Sequence, residues 1–244
     1  MIYKIVFTRY ISLLIILFFF HGKLSFAQEI TVSKYGVPVI NKTSVYQETI
    51  HKDSSKAMVE LKTAIPGIVY DLRYATTNNF MHRLMYMPPT RYTFLRAPAA
   101  KALAEVQKEL KGMGYGLKIF DAYRPYSVTV SFWELVQDER YVANPAKGSG
   151  HNRGLAVDLT IIDLKTHREL DMGTGFDNFT DSAHHSFTGF STAVLQNRQL
   201  LKEIMAKHGF NMLETEWWHY FWPNDREYEV LDLPFGQLAT GNRQ

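Results

Sequence analysis

The sequence predicts an α+β domain: a mainly antiparallel sheet with helices packed on one side and a cleft on the other. Three observations carry that expectation. Val157-Asp158-Leu159-Thr160-Ile161-Ile162 alternates apolar and polar residues, the period of a half-buried strand. On such a strand Asp158 and Thr160 share one face, and Val157, Leu159 and Ile161 share the other. Residues 98–110 and 193–208 instead carry apolar residues at helical spacing, and glycine follows each run. A chain of 244 residues is long enough for one sizeable domain with its own core.

Residues 1–27 read as an export signal. Lys4 and Arg9 form a basic start, residues 11–20 are apolar, and Ser25-Phe26-Ala27 offers a small-x-small cleavage site before Gln28. A membrane anchor is the alternative, but a spanning helix needs about 20 apolar residues, and His21, Gly22 and Lys23 interrupt this run. The segment holds Lys4, Arg9 and Lys23 and no acid. Taking those three from the 27 bases leaves 24 against 24 acids. A neutral mature chain has no basic footprint for nucleic acid. There is no cysteine, so neither a disulfide nor a lipid-anchored cysteine is available, and a metal site must draw on His and carboxylates.

Residues 28–58 have mixed polarity and turn signals, and read as a poorly specified N-terminal arm before a domain at 59–244. Ile68 to Tyr74 is strand-like, with Ile68, Tyr70, Leu72 and Tyr74 on one face; on the residues alone Tyr74 reads as core. Residues 81–97, rich in Met and aromatics around Pro88-Pro89, form an ordered loop and pocket wall. Pro98 opens a helix whose buried stripe is Ala102, Leu103, Val106 and Leu110, and Gly112 and Gly114 stop it. Leu117 to Phe120 is a short strand running into Asp121-Ala122-Tyr123-Arg124-Pro125, where a second helix starts. Arg124 therefore sits at a strand-to-helix junction facing a cleft, or pairs with Asp121 on the surface. Residues 137–150 are a charged loop. His151 follows on a glycine-flanked loop, and a polar turn spans 163–169. The helix at 193–208 turns Leu195, Leu201, Ile204 and Met205 inward.

The chemistry gathers in two places. His151 and Asp158 lie in the first, and Glu216-Trp217-Trp218-His219 is the second. Together they supply two imidazoles, a carboxylate ligand and a spare glutamate: the inventory of a catalytic zinc site with one open position. Either pair alone is commonplace in proteins without a metal. Glu216 and His219 would point to opposite faces of a straight strand, so a shared site requires a bend or bulge between them.

Ser149-x-His151-x-x-Gly154-x-Ala156-x-Asp158, followed by Glu216-x-Trp218-His219, resembles the zinc peptidases that include lysostaphin-type enzymes, D-Ala-D-Ala peptidases and the hedgehog domain. Within that group the chain is most similar to the vancomycin-resistance-type D-Ala-D-Ala dipeptidases. Asp71 to Phe80 is similar to their opening motif. Asp121 to Pro125 is similar to their Gly-Tyr-Arg-Pro motif, with Ala122 where glycine is common. Met172 to His185 is similar to their glycine-rich Phe-Asp segment. The resemblance implies one Zn2+ per chain on His151, Asp158 and His219, with Glu216 as general base. It implies Arg124 at the developing oxyanion, Asp177 on the substrate amino group, Ser149 at a polar end of the substrate, and Tyr74 in the pocket wall. His184 and His185 are rival ligands that the family pattern makes structural.

The implied reaction is hydrolysis of the free dipeptide D-alanyl-D-alanine to two D-alanines; the export signal adds the periplasm, and with it a recycling or nutritional role rather than resistance. The implied partner is a small D-dipeptide, with no nucleic acid and no membrane span once the signal is cleaved. The sequence is silent on oligomeric state. A D-Ala-D-Ala carboxypeptidase or cell-wall endopeptidase would share the zinc set but need an open groove. A non-catalytic binding module would have no use for Glu216.

Overall fold

The computed structural model describes residues 30–241. The export signal expected at 1–27 lies outside the described residues. In chain order the elements are β1 (Thr31–Val32), β2 (Pro38–Ile40), α1 (Thr43–Lys52), β3 (Met58–Glu60), α2 (Leu61–Ala64), β4 (Val69–Tyr70), β5 (Phe94–Arg96), α3 (Ala97–Gly112) and β6 (Tyr115–Asp121). They continue with α4 (Tyr126–Val136), α5 (Gly150–Arg153), β7 (Ala156–Asp163), α6 (Thr192–Lys207), β8 (Asn211–Leu213), β9 (Glu216–Phe221), β10 (Val230–Leu231) and α7 (Phe235–Gly241).

The sheet that carries the site has the order β4-β6-β7-β9-β8, antiparallel except for the β4–β6 pair. The inward faces of α3 (Leu103, Val106, Leu110) and α6 (Leu201, Ile204, Met205) share one core with Leu117 and Ile119 of β6 and Val157, Leu159 and Ile161 of β7. The architecture is α+β, with helices on one face as expected.

β7 departs from the half-buried expectation. All of Ala156 to Ile162 is buried. The strand is central in the sheet, its Val157 face lies on the helices, and its Asp158 face lies under the segment that carries Phe176, whose ring packs on Phe120 and Trp218. Alternation in the sequence therefore marks a polar site facing the core, not a face open to water. The strand expected over 68–74 is shorter, only Val69–Tyr70. The chain then turns through a 3-10 segment, Arg73–Ala75, that swings Tyr74 into a second core.

The described part of the expected N-terminal arm, residues 30–58, is better specified than its mixed polarity suggests. β2 pairs with β1 on one side and with β10 on the other, and Ile40, Val45, Tyr46 and Met58 are buried with Phe94, Leu231 and Leu233. The expected domain boundary at 59 falls inside β3, which pairs with β5. The few apolar residues of the arm find their partners in the far C-terminal segment, a relationship invisible to local periodicity. Arg96, fully buried, ties these parts together by donating to the carbonyls of Lys56, Arg153 and Glu229.

Candidate metal centre

Antiparallel pairing puts Asp158 of β7 directly opposite His219 of β9. Cross-strand partners share a face, so the two side chains meet: His219 Nδ1 lies 2.9 Å from Asp158 Oδ1. The bulge required between Glu216 and His219 is present. β8 pairs Met212 with Tyr220 but Leu213 with Glu216, so the extra residues of β9 turn Glu216 back toward the site, 3.7 Å from His219 Nδ1.

His151 arrives on a turn of helix rather than a loop. Ser149 caps α5 in a capping box with Asn152, and Asn152 Nδ2 also donates to the Arg124 carbonyl and to Thr129. Gly154 ends the turn in the left-handed region (φ 69°), and a Cβ there would sit 2.5 Å from Met58 Sδ, so only glycine serves. His151 Nδ1 donates to the Ala122 carbonyl at 2.6 Å. A carbonyl can only accept, so the proton is on Nδ1 and the Nε2 lone pair faces the site. His151 Nε2 lies 3.2 Å from His219 Nδ1 and 3.4 Å from Asp158 Oδ2.

His151, Asp158 and His219 form the one cluster of His, Cys, Asp or Glu ligand atoms able to hold a metal ion among the described residues, with all ligand atoms within 4.8 Å of one another. The set fits zinc. Zinc–nitrogen and zinc–oxygen bonds of about 2.0–2.1 Å around a tetrahedron space the ligand atoms about 3.3 Å apart, close to the separations seen here. Burial works against the charge of Asp158, but the two imidazoles outweigh it and hold the carboxyl below its usual range. Burial lowers the His219 pKa despite the opposing pull of Asp158. A metal takes the carboxylate ionised and the imidazole nitrogens that face it free of their protons.

Arg124 is buried, not on the surface, and both readings of it are half right. It donates from Nε to Asp121 Oδ2 at 2.9 Å, and its Nη2 is 3.6 Å from Asp158 Oδ2. Its guanidinium lies over the rings of Tyr74 and Phe132. Asp177 adopts a left-handed backbone (φ 59°) and accepts the Tyr74 hydroxyl proton on Oδ1 at 2.9 Å, leaving Oδ2 buried without a partner. Burial pushes its carboxyl up to about 7, against the Tyr74 hydrogen bond and with a further push from Asp158. Glu216, 6% exposed, is pushed well above the usual carboxylate range by burial and then by Asp158 and Asp177. Tyr74 is thus both core and wall. Ser149 Oγ accepts the Asn152 N–H as the helix cap, which leaves its proton and one lone pair for a ligand.

These residues line a cavity of about 250 Å³, with Tyr141, Phe179 and Trp218 among its walls. Tyr141 stacks on Phe179, centroids 5.0 Å apart, and Thr215 ties the same loop to the β8–β9 turn through the Arg140 carbonyl. A larger cavity of about 510 Å³ is walled by Met85, Met87, Pro89, Tyr92 and Phe235. Residues 81–97 are therefore a pocket wall, but of a pocket that holds none of the expected site residues. His184 and His185 stand outside the metal cluster.

Two residues that shape the site were not assigned to it from the sequence, which had Asp121 only as a surface partner of Arg124 and did not single out Tyr86. Asp121, completely buried, accepts the Tyr86 hydroxyl proton on Oδ1 and the Arg124 guanidinium on Oδ2. Asp121 had a visible signal in its three-residue spacing to Arg124. Tyr86 had none.

A family model described as D-ala-D-ala dipeptidase matches residues 54–235. The D-alanyl-D-alanine dipeptidase of Escherichia coli is 34% identical over 187 residues, 77% of this chain and 95% of that protein. The D-alanyl-D-alanine dipeptidase of Enterococcus faecalis is 34% identical over 197 residues, 72% of this chain and 92% of that protein. Among solved structures, the LdcB LD-carboxypeptidase is similar at 20% identity and a TM-score of 0.38, over 67% of this chain and 69% of that one.

Proposed function

The chain belongs to the D-Ala-D-Ala dipeptidase family of peptidases, and from that premise we propose that it hydrolyses free D-alanyl-D-alanine to two D-alanines, with one zinc ion on His151, Asp158 and His219. The observation that carries this reading is the meeting of those three side chains at a small cavity that also holds Glu216, Arg124 and Asp177.

The charge balance supports it. Asp121, Asp158, Asp177 and Glu216 set four carboxylates against the single guanidinium of Arg124. Unpaired buried charge is costly. A divalent cation and a substrate ammonium favour the ionised form of Asp121, Asp177 and Glu216, whose pKa values burial raises.

When bound, zinc supplies a Lewis acid and lowers the pKa of water to about 7. Glu216 takes a proton from the attacking water and passes it to the leaving nitrogen as the C–N bond breaks. Burial is the larger cause of its raised pKa and the charge of Asp158 the next, and neutralising Asp158 removes the second of these. Arg124 donates to the former carbonyl oxygen as negative charge builds there. The free Oδ2 of Asp177 accepts from the substrate ammonium, and the Ser149 hydroxyl meets a polar end of the dipeptide. Tyr74 keeps Asp177 oriented.

The small cavity supports a dipeptide over a peptidoglycan chain. At about 250 Å³ it lies below the range of about 300–1,000 Å³ of sites for drug-sized ligands, and the Tyr141–Phe179 stack forms part of its wall. The leader-like residues 1–27 support export to the periplasm, and with it a role in cell-wall dipeptide recycling. Among the described residues no helix is long and apolar enough to cross a membrane.

The test is to assay zinc-loaded protein on free D-Ala-D-Ala and on a muropeptide pentapeptide ending in the same residues. Turnover of the dipeptide alone is the expected result; turnover of the pentapeptide alone would sink the proposal.

A further inference from the structure

Arg198 lies outside the cavity, yet it holds the segment that carries Asp177. It is 5% exposed on α6 and spends its guanidinium on backbone oxygens from both ends of one excursion of the chain. Nε donates to the Met172 carbonyl at 2.7 Å, Nη1 to the His184 carbonyl at 3.1 Å, and Nη2 to the Ser182 carbonyl at 2.9 Å. Nη2 also reaches Thr174 Oγ1 at 3.5 Å, and that hydroxyl accepts from Trp217 Nε1 at 2.8 Å. The guanidinium is flanked by Phe190 and Trp217.

Between Met172 and His184 the only regular structure is the 3-10 turn Asp181–Ala183. A segment of that kind has little to fix it, and ordering each residue costs about 1–2 kcal/mol in backbone entropy. Asp177 sits near its middle in a left-handed conformation that non-glycine residues seldom adopt. The planar fork of an arginine can satisfy three carbonyls in fixed directions at once; a lysine ammonium, a point charge, cannot.

We propose that Arg198 is a positioning residue for substrate-amine recognition: its clamp on the Met172, Ser182 and His184 carbonyls fixes Asp177 where its free oxygen meets the ammonium of the dipeptide. This inference rests on the dipeptidase reading above. Arg198 touches neither the metal ligands nor Glu216, so its loss acts on binding rather than on the chemical step.

The experiment compares wild type, Arg198→Lys and Thr174→Val, each zinc-loaded, on D-Ala-D-Ala and on N-acetyl-D-Ala-D-Ala. Calorimetric binding of D-Ala-D-Ala is measured in parallel on a Glu216→Gln background. For Arg198→Lys the expected result is a rise of about tenfold in KM and in Kd, the loss of one charge-assisted contact, with kcat within about threefold of wild type. The preference for the free amine over the acetylated dipeptide falls in step. Thr174→Val, which keeps the arginine and its carbonyl contacts, shows a smaller shift in the same direction and carries the test if Arg198→Lys does not fold. Unchanged KM and Kd, or a loss confined to kcat, would overturn the proposal. Wild-type protein inactive on D-Ala-D-Ala would instead refute the dipeptidase reading itself.

Discussion

Asp121 and Asp158 lie opposite each other across β6 and β7, two buried carboxylates on one face of the sheet. They are in register because β6 bulges between Ile119 and Asp121, so that Ile119 pairs with Leu159 and Asp121 with Asp158. Like charges so placed repel, and burial alone already raises the Asp121 pKa. Arg124 bridges the pair, with Nη2 2.8 Å from Asp121 and 3.6 Å from Asp158. The Tyr86 hydroxyl satisfies the remaining oxygen of Asp121.

The first prediction follows from that bridge. Arg124→Ala should lower kcat on the order of 10²–10³-fold, the usual effect of removing one preorganised donor to an oxyanion. Tyr86→Phe, which keeps the ring but strands a buried carboxylate oxygen, should give a smaller loss in kcat with zinc content intact. Steady-state kinetics with metal analysis checks both; equal rates in the Arg124 variant and wild type would remove the guanidinium from the reaction.

A second prediction separates base from ligand. Glu216 lies beside the metal cluster but is not one of its members. Glu216→Ala should keep one zinc per chain and lower kcat by about 10²–10⁴-fold, the range for a lost general base. If zinc is lost along with the rate, Glu216 is a ligand instead.

How much of this was legible in the chain depends on the range over which each residue is determined. The ligand set was, because His151, Asp158, Glu216 and His219 sit in two short segments whose internal spacing is chemical. Even the bulge in β9 could be required in advance, since Glu216 and His219 cannot otherwise reach one point. What the residues hid was long-range. Nothing near Tyr86 announces Asp121, 35 positions later. The mixed polarity of residues 28–58 concealed β2 because its partner is β10, near the other end of the chain. The alternation of β7 suggested water on one face, where the structure buries Asp158 against His219 and Arg124 and buries Thr160 as well.

The metal site gives a third prediction. His219→Ala removes one of three ligands and leaves Asp158 buried without its 2.9 Å partner. Zinc affinity should fall by far more than the 10–100-fold typical of losing an outer-shell contact. Activity should vanish at stoichiometric zinc. In the wild type a chelator should abolish turnover and added zinc should restore it; turnover that survives complete demetallation, verified by atomic absorption, would contradict the assignment.

The last prediction concerns stability rather than catalysis. His185 is half-buried, and its Nε2 is buried with no hydrogen-bond partner. Burial first, then the nearby Lys202, lowers its pKa to about 4, only partly opposed by Glu214. The ordinary histidine value is about 6.5, so between those values the unfolded chain holds a proton that the folded chain rejects. Stability from this group is complete above pH 6.5 or so and drains away as the pH falls toward 4. His185→Phe removes the proton site while keeping an apolar ring in place. Its stability relative to wild type should therefore rise by on the order of 1 kcal/mol between about pH 7.5 and about pH 5, or roughly 2–4 °C in Tm for a domain of this size. Thermal melts of the two proteins at both values read that difference directly, since groups common to both cancel. A gap between them that stays constant with pH would mean that His185 charges as easily in the folded protein as in the unfolded chain.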